Sequence, residues 1–212
     1  METLKMKFNY PWDEAGRRCA REALSRPDYD PTSLFRWGNM LAMAVLAMLS
    51  AAERELGEAG PRAMIDALTE VGRDVGRQIL EGIAIPDGVA PIEFISAYAS
   101  WINREIYASP EEPRIDGKDH CSFDILWCPH QASYRPFDCR VQRYLVQGMI
   151  DAVRERFPEM DFQVNVTATI PAGSPVCTFD LSQKRPGEPD KWEAYSASLA
   201  KKALEKTGER KK

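Results

Sequence analysis

The chain has 212 residues, 44% hydrophobic and 28% charged, the proportions of a folded globular protein rather than a disordered one. Its 28 basic and 32 acidic residues give a net charge of −4, without the basic excess of a general nucleic-acid binder, so no nucleic-acid partner is expected. Residues 183–212 hold nine basic and five acidic side chains, a local +4 that leaves −8 on the rest of the chain.

Met1–Trp12 has neither an apolar core nor a small-residue cleavage site, so no secretory leader is expected. Asp13–Ser25 reads as a short charged helix stopped at Arg26-Pro27. Asp30-Pro31 supplies an N-cap and a first-turn proline for a helix that reaches Leu56 and ends at Gly57. Its apolar run, Met40–Ala52, is shorter than the ~20 residues needed to span a bilayer. We therefore expect a buried core helix or a dimer-interface helix, and no membrane partner. Gly60-Pro61 restarts the chain, and Met64, Ile65, Leu68, Val71, Val75, Ile79 and Leu80 recur at helical spacing. Gly72 and Gly76 lie one turn apart there, which predicts a close helix contact, since glycine otherwise costs about 1 kcal/mol against alanine. Pro91 opens a helix to about Ile106, with Phe94, Ile95, Tyr98, Trp101 and Ile102 on one face.

The segment 114–182 changes period. Cys121, Phe123, Ile125 and Trp127 alternate with polar neighbours as a strand that Pro129 ends. Phe137–Phe157 is the next helix, with Val141, Tyr144, Leu145, Gly148, Met149, Ala152 and Val153 as its apolar face. Asp161–Ile170 alternates again, Pro171–Pro175 turns, and Val176–Leu181 returns. The expected fold is α+β: N-terminal helices packed on an antiparallel sheet with a strand-helix-hairpin C-terminal half. Residues 1–182 form one domain, helical over 13–107 and α+β over 114–182. Residues 183–212 form a charged C-terminal helix and tail, helical over Trp192–Lys206 and mobile from Gly208 to Lys212.

Four of the five cysteines fall between residues 121 and 177, and both histidines, His120 and His130, stand beside them in sequence. An odd cysteine count without a leader implies free thiols and a cytoplasmic location. His120 and His130 would stand about 30 Å apart on an extended strand, so one site does not hold both. Cys128 and Cys139 flank the loop that contains His130. Cys139 follows Asp138 at a helix start, where unpaired amides favour the thiolate. Cys128 is the nucleophile candidate, His130 its acid/base, and Asp124 or Asp138 the group that orients the imidazole. Cys121 and Cys177 share parity with core positions, and Cys19 is incidental. Trp127, Tyr144, Trp101 and His120 are the candidate pocket residues, with Trp37 as a further aromatic. Zinc-finger spacing, a Walker loop, G-x-G-x-x-G at a strand-to-helix turn and G-x-S-x-G are all absent. No cofactor is expected on these grounds. Cys128, His130, Cys139 and Cys177 remain as a tetrahedral set for zinc or iron if the protein is a thiol-ligated metalloprotein.

Leu56-Gly57-Glu58-Ala59, Glu70–Gly76, Cys128-Pro129, Cys139 and Thr169–Phe179 together resemble the L-2-amino-thiazoline-4-carboxylic acid hydrolase family. More remotely, they are similar to the 4-vinyl reductase type of small-molecule-binding domain. The resemblance covers roughly residues 35 to 182, and the closing hairpin is its strongest piece. It implies helices on an antiparallel sheet, a homodimer and a small-molecule pocket. For the hydrolase branch it implies opening of a cyclic C–N bond in a thiazoline, amidine or amide-like substrate. For the other branch it implies a non-catalytic pocket for aromatic ligands.

Overall fold

The computed structural model describes residues 6–57 and 59–209 and shows an α+β fold. Among the described residues four strands make one antiparallel sheet: β1 (Glu111–Ile115), β2 (His120–Ile125), β3 (Phe162–Ala168) and β4 (Cys177–Gln183), in the order β1-β2-β4-β3. β3 and β4 are the expected hairpin, and β4 also pairs along β2, placing Phe123 opposite Phe179. Period-two burial on β4 puts Cys177, Phe179 and Leu181 on the inner face.

Among the described residues there are six α-helices. They are α1 (Asp13–Cys19), α2 (Thr32–Leu56), α3 (Arg62–Leu80), α4 (Pro91–Trp101), α5 (Arg140–Arg156) and α6 (Lys191–Glu209). Single π-helical turns extend α1 through Leu24 and α4 through Ile106. The Asp30 carboxylate accepts the Thr32 amide at 2.9 Å and so caps α2, which ends at Gly57 in a positive-φ conformation that glycine adopts without strain. α6 runs through Glu209, so Gly208, which the sequence places in a mobile tail, is helical. Residues 210–212 of that tail lie outside the described residues.

α3 and α5 pack most intimately, and glycine is the reason. A Cβ on Gly72 would lie 1.9 Å from the Leu145 carbonyl oxygen, and one on Gly148 would lie 1.9 Å from that of Thr69. Gly76 faces Ala152 in the same seam. The close contact predicted from Gly72 and Gly76 is therefore present, with Gly148 as the reciprocal notch. At the rim of the seam, Arg73 pairs with Asp151 at 3.1 Å and Arg77 with Glu155 at 3.0 Å.

α2 departs from the buried core helix. Leu46, Leu49 and Glu53 are buried, but Trp37, Met40, Leu41, Met43 and Met48 are exposed. Among the described residues it is one helix long and apolar enough to cross a membrane. Its buried edge carries a two-pronged ion pair with both side chains buried. Arg140, 0% exposed, grips Glu53 through two hydrogen bonds of 2.7 and 2.9 Å and reaches Asp138 at 3.3 Å.

Candidate functional site

Between the inner face of the sheet and the helices α4 and α5 lies a partly open cavity of about 170 Å³. Phe123, Phe179, Val164, Tyr98, Met149 and Val153 make its walls largely apolar. For comparison, an engineered apolar cavity of roughly 150 Å³ stays dry and takes up benzene. The loop after β2 closes one side with Cys128, Pro129, His130 and Tyr134, while Cys139 and Cys177 approach from the start of α5 and from β4.

The geometry therefore gathers Cys128, His130 and Cys139, and Cys177, a core residue as its parity predicts, lines the same cavity. Its thiol is buried and accepts the Ile170 amide at 3.1 Å. Cys121 is a core residue too, at 0% exposure, but does not line the cavity. The candidate orienting acids go elsewhere. Asp124 binds the Arg114 guanidinium at 2.7 Å and the Thr178 hydroxyl at 2.7 Å. Asp138 is buried against Arg135 and Arg140 and accepts the Arg135 amide. The imidazole is held by a residue that no sequence motif singles out: His130 Nδ1 lies 3.1 Å from Asn39 Oδ1. The ring also stacks on Tyr134 at 4.7 Å. Asn39 and His130 are far apart in sequence, and no local spacing signals the pair.

The four candidate pocket residues do not line this cavity. His120 is partly exposed at the start of β2, beside Asp116 at 3.4 Å. Trp101 packs on Phe8 and Tyr10. Trp127 is exposed against Phe35 because β2 ends at Ile125, before the alternation can turn it inward. Tyr144 is buried in a separate cluster with Leu46, Leu49 and Tyr134. Trp37 stands exposed on α2.

Burial dominates the titration of the site. It pushes the Cys139 thiol up to about 11, outweighing the nearby Arg143 cation. This reverses the depressed value expected at a helix start: Cys139 occupies the cap position, but desolvation wins. Burial also raises Cys128 and Cys177. It lowers His130, which favours the neutral imidazole. The backbone amides of His130 and Gln131 pull the Cys128 thiol the other way, but burial outweighs them. Among the described residues, no group of three or more His, Cys, Asp or Glu side chains is arranged to hold a metal ion.

Together, fold and cavity define an α+β protein with an internal apolar pocket ringed by protonated thiols. No family model matches the chain. It is 42% identical over 202 residues to an uncharacterized protein of Archaeoglobus fulgidus, a match covering 93% of this chain and 89% of that protein, and it belongs to the same family. Among solved structures it shows a weak likeness to trafficking protein particle complex subunit 3 from Naegleria fowleri, crystallised covalently bound to palmitic acid. The TM-score is 0.43 and the identity 11%, over 69% of this chain and 94% of that one.

Proposed function

We propose that the protein is a small-molecule-binding module that holds a compact, largely apolar ligand in the internal cavity. The observation that carries this reading is the apolar-lined space of about 170 Å³ behind the 128–139 loop. The raised thiols favour binding over catalysis, because a cysteine nucleophile needs a lowered pKa or a base at its sulfur. The reading accords with the resemblance to the 4-vinyl reductase type of domain. The hydrolase reading keeps one supporting feature: Cys128 and His130 both face the cavity.

Titration calorimetry and thermal unfolding with hydrocinnamyl and octyl compounds test this. We expect saturable one-to-one binding, with ligand at a hundred times its Kd adding about 2.7 kcal/mol, or ~5–10 °C in Tm. The ligand should be recovered unchanged. Absence of saturable binding would sink the binding reading. Ligand consumption that stops in Cys128→Ala would replace it with the hydrolase.

We also infer a homodimer formed through α2. Leu34, Trp37, Leu41, Ala44 and Met48 follow the alternating three- and four-residue spacing of a coiled-coil seam, and all five are exposed. A lipid-facing helix has no need of that seam. A standard interface takes about 800 Å² from each partner, and the exposed apolar side chains of α2 form a patch suited to that use. Light scattering coupled to size exclusion should give twice the 24.0 kDa chain mass, and the Trp37→Glu, Leu41→Glu double variant should give one chain mass. A monomeric wild type, or one that sediments with neutral vesicles, would rule the dimer out.

A further inference from the structure

Three residues of the cavity wall carry a buried polar atom without a hydrogen bond: Arg143 and Tyr107, whose atoms are donors, and Gln142, whose Oε1 is an acceptor. Arg143 and Tyr107 both line the cavity. The Arg143 Nε and the Tyr107 hydroxyl are both shut off from solvent without a hydrogen bond. Arg143 is 5% exposed. Its guanidinium carbon lies over the rings of Trp192, Tyr195 and Phe179 at 4.4, 4.8 and 5.2 Å. Those rings attract the positive charge through their π faces, but a ring offers no anion to match it. The groups that act electrostatically on Arg143 are Cys139, Tyr195, Cys177 and Tyr107, none of them a carboxylate.

Arg140, one turn earlier on α5, shows how this chain treats a buried arginine with a structural role, since it supplies that side chain with Glu53 and Asp138. Arg143 has no such acid, and burial raises the titration points of Cys139, Cys177 and Tyr107, so all three stay neutral at neutral pH. Desolvation without a counter-charge disfavours a cation strongly, and a bound anion would supply the missing charge. Tyr107, held protonated, is a second donor close enough to Arg143 to sense its charge.

We propose that Arg143 and Tyr107 form an anion-binding pair, so that the ligand of this cavity is a monocarboxylate with an apolar body. The carboxylate accepts the Arg143 Nε–H and the Tyr107 O–H, and its hydrocarbon part fills the space between α5 and the sheet. This rests on the cavity being a ligand site, and the test separates the two ideas.

Two matched sets with constant tails are titrated into the full chain: hydrocinnamate, hydrocinnamyl alcohol and hydrocinnamyl amine, and octanoate, octanol and octylamine. In at least one set the acid should bind about tenfold or more tightly than the alcohol, because charge-assisted hydrogen bonds exceed neutral ones, and the ammonium compound should bind weakest. Tyr107→Phe should reduce that preference by about threefold, and Arg143→Met should abolish it while retaining the alcohol. If acid and alcohol bind equally in both sets, the anion pair is wrong and the apolar pocket stands. If no compound binds, the pocket reading itself falls. Should Arg143→Met fail to fold, the wild-type head-group comparison and Tyr107→Phe still decide.

Discussion

Replacing Glu53 with alanine should lower stability by about 3–5 kcal/mol, because it leaves the Arg140 guanidinium buried with half of its charge partners gone. Both side chains are almost wholly buried, at 1% and 2% of side-chain exposure, and their contact is two-pronged. Asp138 remains at 3.3 Å, but it is shared with Arg135, so it does not replace the lost carboxylate. In a chain of this size the loss corresponds to a fall of ~6–20 °C in Tm. The double variant Glu53→Leu, Arg140→Met is the informative comparison. Apolar replacement of a whole buried pair is often neutral or stabilising, so the double variant should be far more stable than Glu53→Ala. Chemical denaturation of all three chains measures this, and a Glu53→Ala variant within about 1 kcal/mol of wild type would show that the pair does not tie α2 to α5.

The same pair marks the boundary of what the sequence makes legible. Local periodicity and punctuation read well: β3 and β4 alternate cleanly, Pro91 opens α4, and Gly57 closes α2. Cys121 follows its strand parity into the core. Strand β1 escapes because it violates the pattern. It reads Glu-Glu-Pro-Arg-Ile, and its proline is tolerated because β1 lies at the sheet edge and pairs with β2 alone. Links between distant parts of the chain escape for a different reason. Asn39 with His130, and Glu53 with Arg140, are set by how α2 lies against the rest, which no window of sequence encodes. Arg143 leaves a trace, since it stands at helical spacing from Val146, Ile150 and Val153, the cavity-facing side of α5. An arginine on an apolar stripe is the signal that could have located the pocket. The aromatic candidates mislead because Trp127 and Trp101 pack outside the cavity, and aromaticity alone does not say which side of a strand or helix end a ring will face.

A methyl group added at Gly148 should have an effect comparable to losing the ion pair. In most helices Gly→Ala gains about 1 kcal/mol from propensity. Here the new carbon would stand 1.9 Å from the Thr69 carbonyl oxygen and 2.4 Å from the Arg73 amide nitrogen, both backbone atoms that cannot rotate aside. α3 and α5 must separate, and the overpacking penalty of about 1–3 kcal/mol or more outweighs the helical gain. We expect Gly148→Ala to lose ~2 kcal/mol or more. Gly72→Ala meets Leu145 in the same way, and the double variant should cost less than the sum, because one separation relieves both clashes. Gly16→Ala, in open space on α1, should by contrast be neutral or stabilising. The damage should also reach the ligand site. α5 carries Arg143, Val146 and Met149 into the cavity, so displacing it moves the proposed anion anchor relative to Tyr107. Binding of hydrocinnamate or octanoate to folded Gly148→Ala should weaken by about tenfold, a loss equivalent to 1.4 kcal/mol. A variant that is destabilised but binds as wild type would show that the helix seam and the pocket are mechanically independent.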